Sequence, residues 1–504
     1  ATTLSRILGL FRDVIIFSIL GFSPWSNAFL FAFTIPNLFR RLLGEGALTS
    51  AMIPIYGEAL QRGEATAHHF LNGILSRLCL LFLGMIAIVL ISVLLFWIIL
   101  TQHWRRALGL SVVLSPYLAC SCIAAMLCAA LNVRHSFAIP ALNASWLNLS
   151  ILILGLLPIL MGNESLLYGA LILSFGVLLG GFLQIAFPWI FLHRSGWKFH
   201  FSFQENEWTK CMWKLFLPAV MGAAAMQING AICRILAYCF TNNGLPALYL
   251  SSRLVELPLG IFTVSIATVA FPQLSQAMAR NNGDEFFYHY RRFQWATAMI
   301  AIPCSIGLIF LGKSVLSLFF RWGNFSAAHV AETIPVLIIA ALAIPFLSFS
   351  SIATRAFHAQ RNMETPLRIA IITIFSNVIG AVLFLKPYGV VGIVVTNTST
   401  ACLQSLFLHI ALRKNGTGDP QIHRRWISLT TASLSLLLCL GSIHWFAAKN
   451  IFPIPPKCGA LAEIILSLFI GGGAYVITLH WFRFSEISLL FSFFRIFGDK
   501  KARQ

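Results

Sequence analysis

Acidic residues are scarce in this sequence: Asp and Glu together number 16 among 504 residues, and all charged residues make up only 10%. Soluble domains carry about 25% charged residues, so a water-exposed surface cannot be built from this composition. With 58% hydrophobic residues the solvent of the fold is lipid. The ten-residue apolar/polar alternation of a membrane β-barrel is also missing. Nearly continuous apolar runs such as Leu78–Leu100, Leu149–Met161 and Ile464–Leu479 take its place. In lipid every backbone group needs an internal partner, which leaves a helical bundle. No CxxC, Cys/His metal spacing or Ser/His/Asp set is present. The eleven cysteines fall mostly inside apolar runs, where Cys120, Cys122, Cys128 and Cys439 read as small hydrophobes. No catalytic residue, metal or cofactor is expected, and the chain is not read as an enzyme. A cleaved signal peptide is not expected either, because Arg6 and Arg12 interrupt the first apolar stretch and no A-x-A site follows. The chain opens without Met, so a few N-terminal residues are expected to be missing.

What is present is a series of spans. Windows of about 20 apolar residues place helices near 2–22, 26–60, 73–101, 107–132, 139–161 and 165–193, then 211–239, 245–276, 292–312, 328–358, 365–386 and 389–412, and finally 428–448 and 459–482. The expectation is an all-α polytopic membrane protein of about fourteen transmembrane helices. The second span carries Pro36, Gly44, Gly46 and Pro54 and should be bent or broken. The formal net charge of +19 would suggest nucleic acid in a soluble protein. Here the cations sort by loop, and no nucleic-acid partner is expected. One set of connections holds Arg62, Arg134, Arg194, Lys198, Lys210, Arg280, Arg291, Arg292, Arg361, Arg413, Lys414, Arg424 and Arg425, and the tail adds Arg495, Lys500, Lys501 and Arg503. The opposite set holds chiefly Arg105, Arg106, Lys313, Arg321, Lys386, Lys449 and Lys457. The positive-inside rule then puts both termini in the cytoplasm.

Two internal matches point to duplication. PYLACSCIA at 116–124 pairs with PFLSFSSIA at 345–353, and IPIYGEAL at 53–60 pairs with FPQLSQAM at 271–278. Their order and similar offset suit two six-helix lobes in parallel repeat, an arrangement that places substrate between lobes that rock. The expected organisation is an N-terminal lobe over 1–200, a C-terminal lobe over 201–420, and two additional helices with a basic tail over 421–504.

Charges inside the spans carry the functional signal, since each costs at least ~2.5 kcal/mol at a helix centre. The first helix holds Arg6, Arg12 and Asp13; the second holds Arg40, Arg41 and Glu45; the eighth holds Arg253 and Glu256. One reading is structural: the arginines snorkel, or pair with the acids as Arg41 could with Glu45 and Arg253 with Glu256. The other starts from five arginines against three acids. Arg6 lies seven positions from Asp13, ~10 Å along the axis and too far for contact. Surplus guanidinium groups facing a cavity call for an anion, and the planar fork of Arg matches phosphate. In the last helix GGG at 471–473 suits either close helix packing or a shallow groove.

SRILGLFRD at 5–13 and NAFLFAFTIPNLFRRLLGEGALTSAMIPIYGE at 27–58 resemble the MurJ (MviN) family of lipid II flippases. So do RLVELPLGIF at 253–262, FFRWGNFS at 319–326, FHAQRNMETPLRIA at 357–370 and YGVVG at 388–392, along nearly the whole chain and in order. The resemblance implies a multidrug/oligosaccharidyl-lipid/polysaccharide exporter fold in the bacterial inner membrane. It implies a cationic cavity for the lipid II head group, with Arg6, Arg12, Arg40 and Arg253 as its essential arginines and Arg41, Glu45 and Glu256 beside them. It further implies a groove for the undecaprenyl tail near the last two helices. The implied partners are lipid II, membrane lipids and other cell-wall synthesis proteins.

Departures from the family pattern matter. Asn27 stands where the family commonly has an aspartate. Cation-coupled members place acids in helices seven and eleven, where this chain has Gln227, Asn229, Ser376 and Asn377. Among rivals, an exporter of another polyprenyl-diphosphate-linked polysaccharide shares the anion chemistry, whereas a multidrug exporter for cations would want an acidic cavity. A membrane glycosyltransferase would want a carboxylate in the first external loop, where GFSPWSN at 21–27 has none. A scaffold without transport leaves the intramembrane charge unexplained.

Overall fold

The computed structural model describes all residues except 1, 43–47, 163, 205–206, 242, 414–420, 449–454, 485 and 488–504. Glu45 and the basic C-terminal tail therefore lie outside the described residues. The chain forms two compact units, residues 1–246 with 320–326 and residues 247–319 with 327 onward.

The first unit contains α1 (Thr2–Leu20), α2 (Pro24–Phe39), α3 (Leu48–Gln61), α4 (Glu64–Phe96), α5 (Gln102–Val133), α6 (Ala138–Leu160), α7 (Leu166–Arg194) and α8 (Glu207–Phe240). The second span, which carries Pro36, Gly44, Gly46 and Pro54, is described as α2 to Phe39, a π-helical turn over 40–42, and α3 from Leu48. Ser23 caps α2 by accepting a hydrogen bond from the Ser26 amide, and Ser26 Oγ accepts one from the Ser23 amide, a reciprocal box. In the absence of a hydrophobic force between helices in lipid, small residues set the contacts. Gly176 and Gly180 lie one turn apart on α7, and a Cβ at Gly180 would fall 2.7 Å from the Leu147 Cα of α6. Between α7 and α8 an extended segment is strapped to α4. Asn72 donates to the Lys198 carbonyl and accepts from Trp197 Nε1, and Ser76 Oγ accepts from the Ser202 amide.

The segment Phe320–Ser326 also belongs to the first unit, although it follows the second unit's long helix in sequence. Its Asn324 amide donates to the Ser18 carbonyl at 2.8 Å and its Asn324 side chain to the Ile19 carbonyl at 2.6 Å. Phe17 and Phe22 meet Phe320 and Phe325 in a buried aromatic cluster with ring centroids 5.4–6.2 Å apart. Gly21 and Gly323 both take φ +52, and a Cβ on either would sit about 2.5 Å from a backbone carbonyl oxygen of the other strand of this contact: Asn324 for Gly21, Ser18 for Gly323.

The second unit holds α9 (Gly244–Pro258), which begins just before the boundary, then a π-helical turn (Leu259–Thr263) and α10 (Val264–Ala279). It continues with α11 (Gly283–Phe319), α12 (Ala327–Leu342), α13 (Ile344–Ala359) and α14 (Glu364–Arg413). The chain closes with α15 (Ile422–Ala448), α16 (Pro456–Leu466), a second π-helical turn (Ser467–Gly471) and α17 (Gly472–Trp481). α14 is two helices folded across Gly389 (φ 57, ψ −138). α11 is the hub: α10, α12, α13, α15 and α16 all pack on it. Tyr475 of α17 donates to the Met299 carbonyl of α11 at 2.9 Å. In the GGG run, a Cβ at Gly471 would press on Leu436 and Leu440 at 3.1–3.2 Å, whereas Gly472 and Gly473 face open space.

Among the described residues ten helical segments are long and apolar enough to cross a membrane. Two expected spans are merged in α14, and α1, α2 with α3, and α8 cover the remaining three, so among the described residues each of the fourteen expected spans falls on helix. The duplicated motifs occupy matching places. IPIYGEAL lies on α3, which packs on α5 carrying PYLACSCIA; FPQLSQAM lies on α10, which packs on α13 carrying PFLSFSSIA. Tyr56 and Leu274, equivalent in the alignment, are both fully buried.

Candidate functional site: intramembrane arginines

Four of the five candidate arginines lie in the first unit and Arg253 lies in the second. Arg6 is exposed on α1. Two turns further along, Arg12 and Asp13 are both buried, at 5% and 2% exposure. Arg12 Nη2 and Nε donate to Asp13 Oδ1 at 2.6 and 3.0 Å, and Nη1 donates to Asn148 Oδ1 at 3.0 Å. Asn148, on α6, donates in turn to the Ser5 carbonyl at 3.0 Å. A buried ion pair is tolerated only when its remaining donors and acceptors are met, and Asn148 meets one of them. Arg12 is thus engaged within its own helix bundle.

Arg40 and Arg41 occupy the π-helical turn that follows α2, where both are half-buried. Arg40 donates through Nε and Nη2 to Asn37 Oδ1 at 3.2 and 3.0 Å, a contact one turn back on the helix that fixes the guanidinium's direction. Asn27 is buried on α2. Glu45 lies outside the described residues, so the Arg41–Glu45 pairing has no structural description here. Arg253 is half-buried on α9: Nη1 meets Glu256 Oε2 at 3.0 Å, Nε donates to Tyr249 Oη at 3.3 Å, and the guanidinium lies 5.3 Å from the Tyr249 ring centroid. The Glu256 side chain is 42% exposed, so this pair is held more loosely than Arg12 with Asp13.

Asn148, Asn37 and Tyr249 are the partners that sequence reading missed. Asn37 was within reach, since it precedes Arg40 by three positions in PNLFRR. Asn148 carries a weaker signal, a lone amide entering an apolar run. Conversely, GLIFLGKS at 307–314 has the spacing of a phosphate-binding P-loop. It runs unbroken inside α11, so its amides serve the helix and no loop exists to cradle a phosphate.

Membrane-length helices, short motifs repeated at matching places and guanidinium groups held within the helices describe a polytopic membrane transporter. The same fold is seen in an inward-facing multidrug resistance MATE family transporter of the MOP superfamily, at a TM-score of 0.66 over 82% of this chain and 96% of that one, with 17% identity. The sequence model of the "Lipid II flippase MurJ" family matches residues 16–465, and this chain belongs to that family. A probable lipid II flippase MurJ of Haemophilus influenzae is 30% identical, covering 89% of this chain and 91% of its own length. One from Bdellovibrio bacteriovorus is 28% identical over 83% and 81%. A solved lipid II flippase MurJ in an inward closed conformation superposes with a TM-score of 0.78 and 26% identity, over 95% of this chain and 96% of that chain.

Proposed function

We infer that the chain moves lipid II, an undecaprenyl-diphosphate-linked muropeptide, from the cytoplasmic to the periplasmic leaflet of the bacterial inner membrane by alternating access. Membership of the lipid II flippase family over residues 16–465 carries the reading. In it the diphosphate is received by Arg6, Arg40, Arg41 and Arg253, and Arg12 holds the α1–α6 contact from which Arg6 projects. Arg6 is exposed on α1, and the neutral amide of Asn37 helps to aim Arg40, which supports a part for both in meeting an anion. Arg253 must exchange or share Glu256. A bound diphosphate neutralises guanidinium charge. It can shift the conformational balance only through its different affinity for the two states.

The test is reconstitution in proteoliposomes with lipid II, scoring its appearance in the opposite leaflet. Flipping is expected to follow an imposed membrane potential, worth ~2.3 kcal/mol per charge per 100 mV, and to persist when choline replaces sodium. The second expectation rests on Asn377, which is buried and donates to Asn397 Oδ1 at 2.7 Å, an amide pair where cation-coupled relatives use acids. Rates that track sodium and ignore voltage would overturn this coupling.

The inferred topology has both termini in the cytoplasm. In a cysteine-free background, Ser195→Cys after α7 should be protected from impermeant thiol reagents in intact cells, and Thr101→Cys before α5 should react with them. Both positions are exposed. The reverse pattern would invert the orientation, and with it the direction of transport.

A further inference from the structure

The additional helices hold an ionisable pair that the proposed cycle does not use. Glu463 sits on the third turn of α16 and is only 8% exposed. Each carboxylate oxygen has its own partner on a different helix: Oε2 accepts from Ser314 Oγ of α11, and Oε1 lies 2.9 Å from His444 Nδ1 of α15. One turn beyond Glu463, on the same face, Ser467 is buried and its hydroxyl has no hydrogen-bond partner among the described residues. At that residue the helix widens into the π-helical turn Ser467–Gly471. Such turns free backbone groups and recur at functional sites.

Few other charges reach this spot. On α11, Lys313 adjoins Ser314 but is exposed; Cys304 is ~15 Å from Ser314 along the axis, and the helix's other ionisable residues, from Asp284 to Arg292, lie near its far end. On α15, His423, Arg424 and Arg425 are at the opposite terminus. On α16 itself Lys457 is ~9 Å away along the axis, and on α17 His480 lies ~25 Å away. Among the described residues, His444 is therefore the titratable group that touches Glu463.

We propose that Glu463 and His444 form a proton-binding site within the C-terminal helices. An isolated carboxylate in this setting is poorly solvated, and a hydroxyl donor such as Ser314 leaves its charge uncancelled. A proton arriving from water at the half-exposed imidazole forms an N–H bond there, or passes to Glu463 as an O–H bond, and in either form the pair becomes neutral. Imidazole is the side chain whose charge changes near neutral pH without special tuning. Because the pair joins α15 and α16 to α11, the hub of the second unit, its occupancy sets the contact between the additional helices and the rest of that unit. The rate of transport is then expected to step with pH.

The experiment follows the His444 imidazole by 15N NMR in lipid bilayers across about pH 5 to 8, in the full-length protein and in Glu463→Gln, which keeps a hydrogen-bonding group at both contacts. Titration of His444 is expected to differ between the two proteins. In parallel, the pH step in flipping should be present in the wild type and lost in Glu463→Gln. If that variant fails to fold, His444→Gln serves, with the Glu463 carboxyl followed by infrared difference bands that should change relative to the wild type. Identical titration in wild type and variant would reduce the pair to a structural tie and overturn the proposal. Coupled titration with flipping that ignores pH would overturn its regulatory half. The NMR readout needs no lipid II, so coupled titration with no lipid II flipping at any pH would leave the proton site standing and strike down the transport reading instead.

Discussion

Arg12→Ala is expected to lose both membrane level and flipping, and the double variant Arg12→Ala/Asp13→Asn to recover the level without recovering full flipping. The single change takes from Asp13, which is 2% exposed, the guanidinium that bonds it. Removing one partner of a buried ion pair costs about 3–5 kcal/mol, enough to unfold a marginal protein. Neutralising Asp13 at the same time removes the buried charge. The residual defect then reports what Arg12 contributes by holding Asn148, which fixes α6 against the Ser5 carbonyl near Arg6. Protein level by immunoblot and growth of a flippase-depleted bacterium separate the two effects. Full growth of the double variant would remove Arg12 from the functional set. Equal loss of level in both variants would mean that Arg12 acts through packing beyond its charge.

Gly323→Ala is expected to lower the thermal midpoint of the purified protein more than any single exposed substitution nearby. A non-glycine residue at φ +52 costs about 1–2 kcal/mol from backbone sterics. The new Cβ would also fall 2.4 Å from the Ser18 carbonyl oxygen, which is backbone and cannot swing aside. The segment must lift off α1, exposing Phe320 and Phe325 and breaking both Asn324 hydrogen bonds. Gly21→Ala should do the same from the other side, since its Cβ meets the Asn324 carbonyl at 2.5 Å. Arg321→Ala, an exposed neighbour, is the control and should leave the midpoint unchanged. A Gly323→Ala midpoint equal to that of the control would mean that the contact is dispensable.

The contrast between these sites shows what a sequence exposes. Helices were legible because lipid enforces long apolar runs, and the irregularity after Phe39 was legible because Pro36, Gly44, Gly46 and Pro54 interrupt that span. The repeat was legible because α3 on α5 and α10 on α13 keep the same short motifs. The docking of Phe320–Ser326 on α1 was not. FFRWGNFS stands out as a motif, but nothing local says that its glycine matches Gly21 some three hundred positions away. The arginines announced themselves by being costly in lipid, yet their partners did not. Asn148 and Tyr249 are ordinary residues until the fold brings them to a guanidinium. Glu463 is a lone acid in an apolar run, but nothing in the sequence pairs it with His444 at the end of the preceding helix. Pairing across helices is set by rotation and register, which composition does not encode.

The Arg12–Asp13 bond has a consequence for how the chain is made. The two residues are neighbours on one helix, so their charges can cancel before any other helix exists. α1 can then enter the bilayer carrying a matched dipole in place of two separate ions, which lowers the insertion penalty of ~2.5–3.5 kcal/mol that each charge would carry alone at the helix centre. A further partner of Arg12, Asn148, is synthesised only with α6. Between those moments α1 is inserted without the Asn148 contact, and the arrival of α6 adds it, so the order of synthesis doubles as an order of assembly.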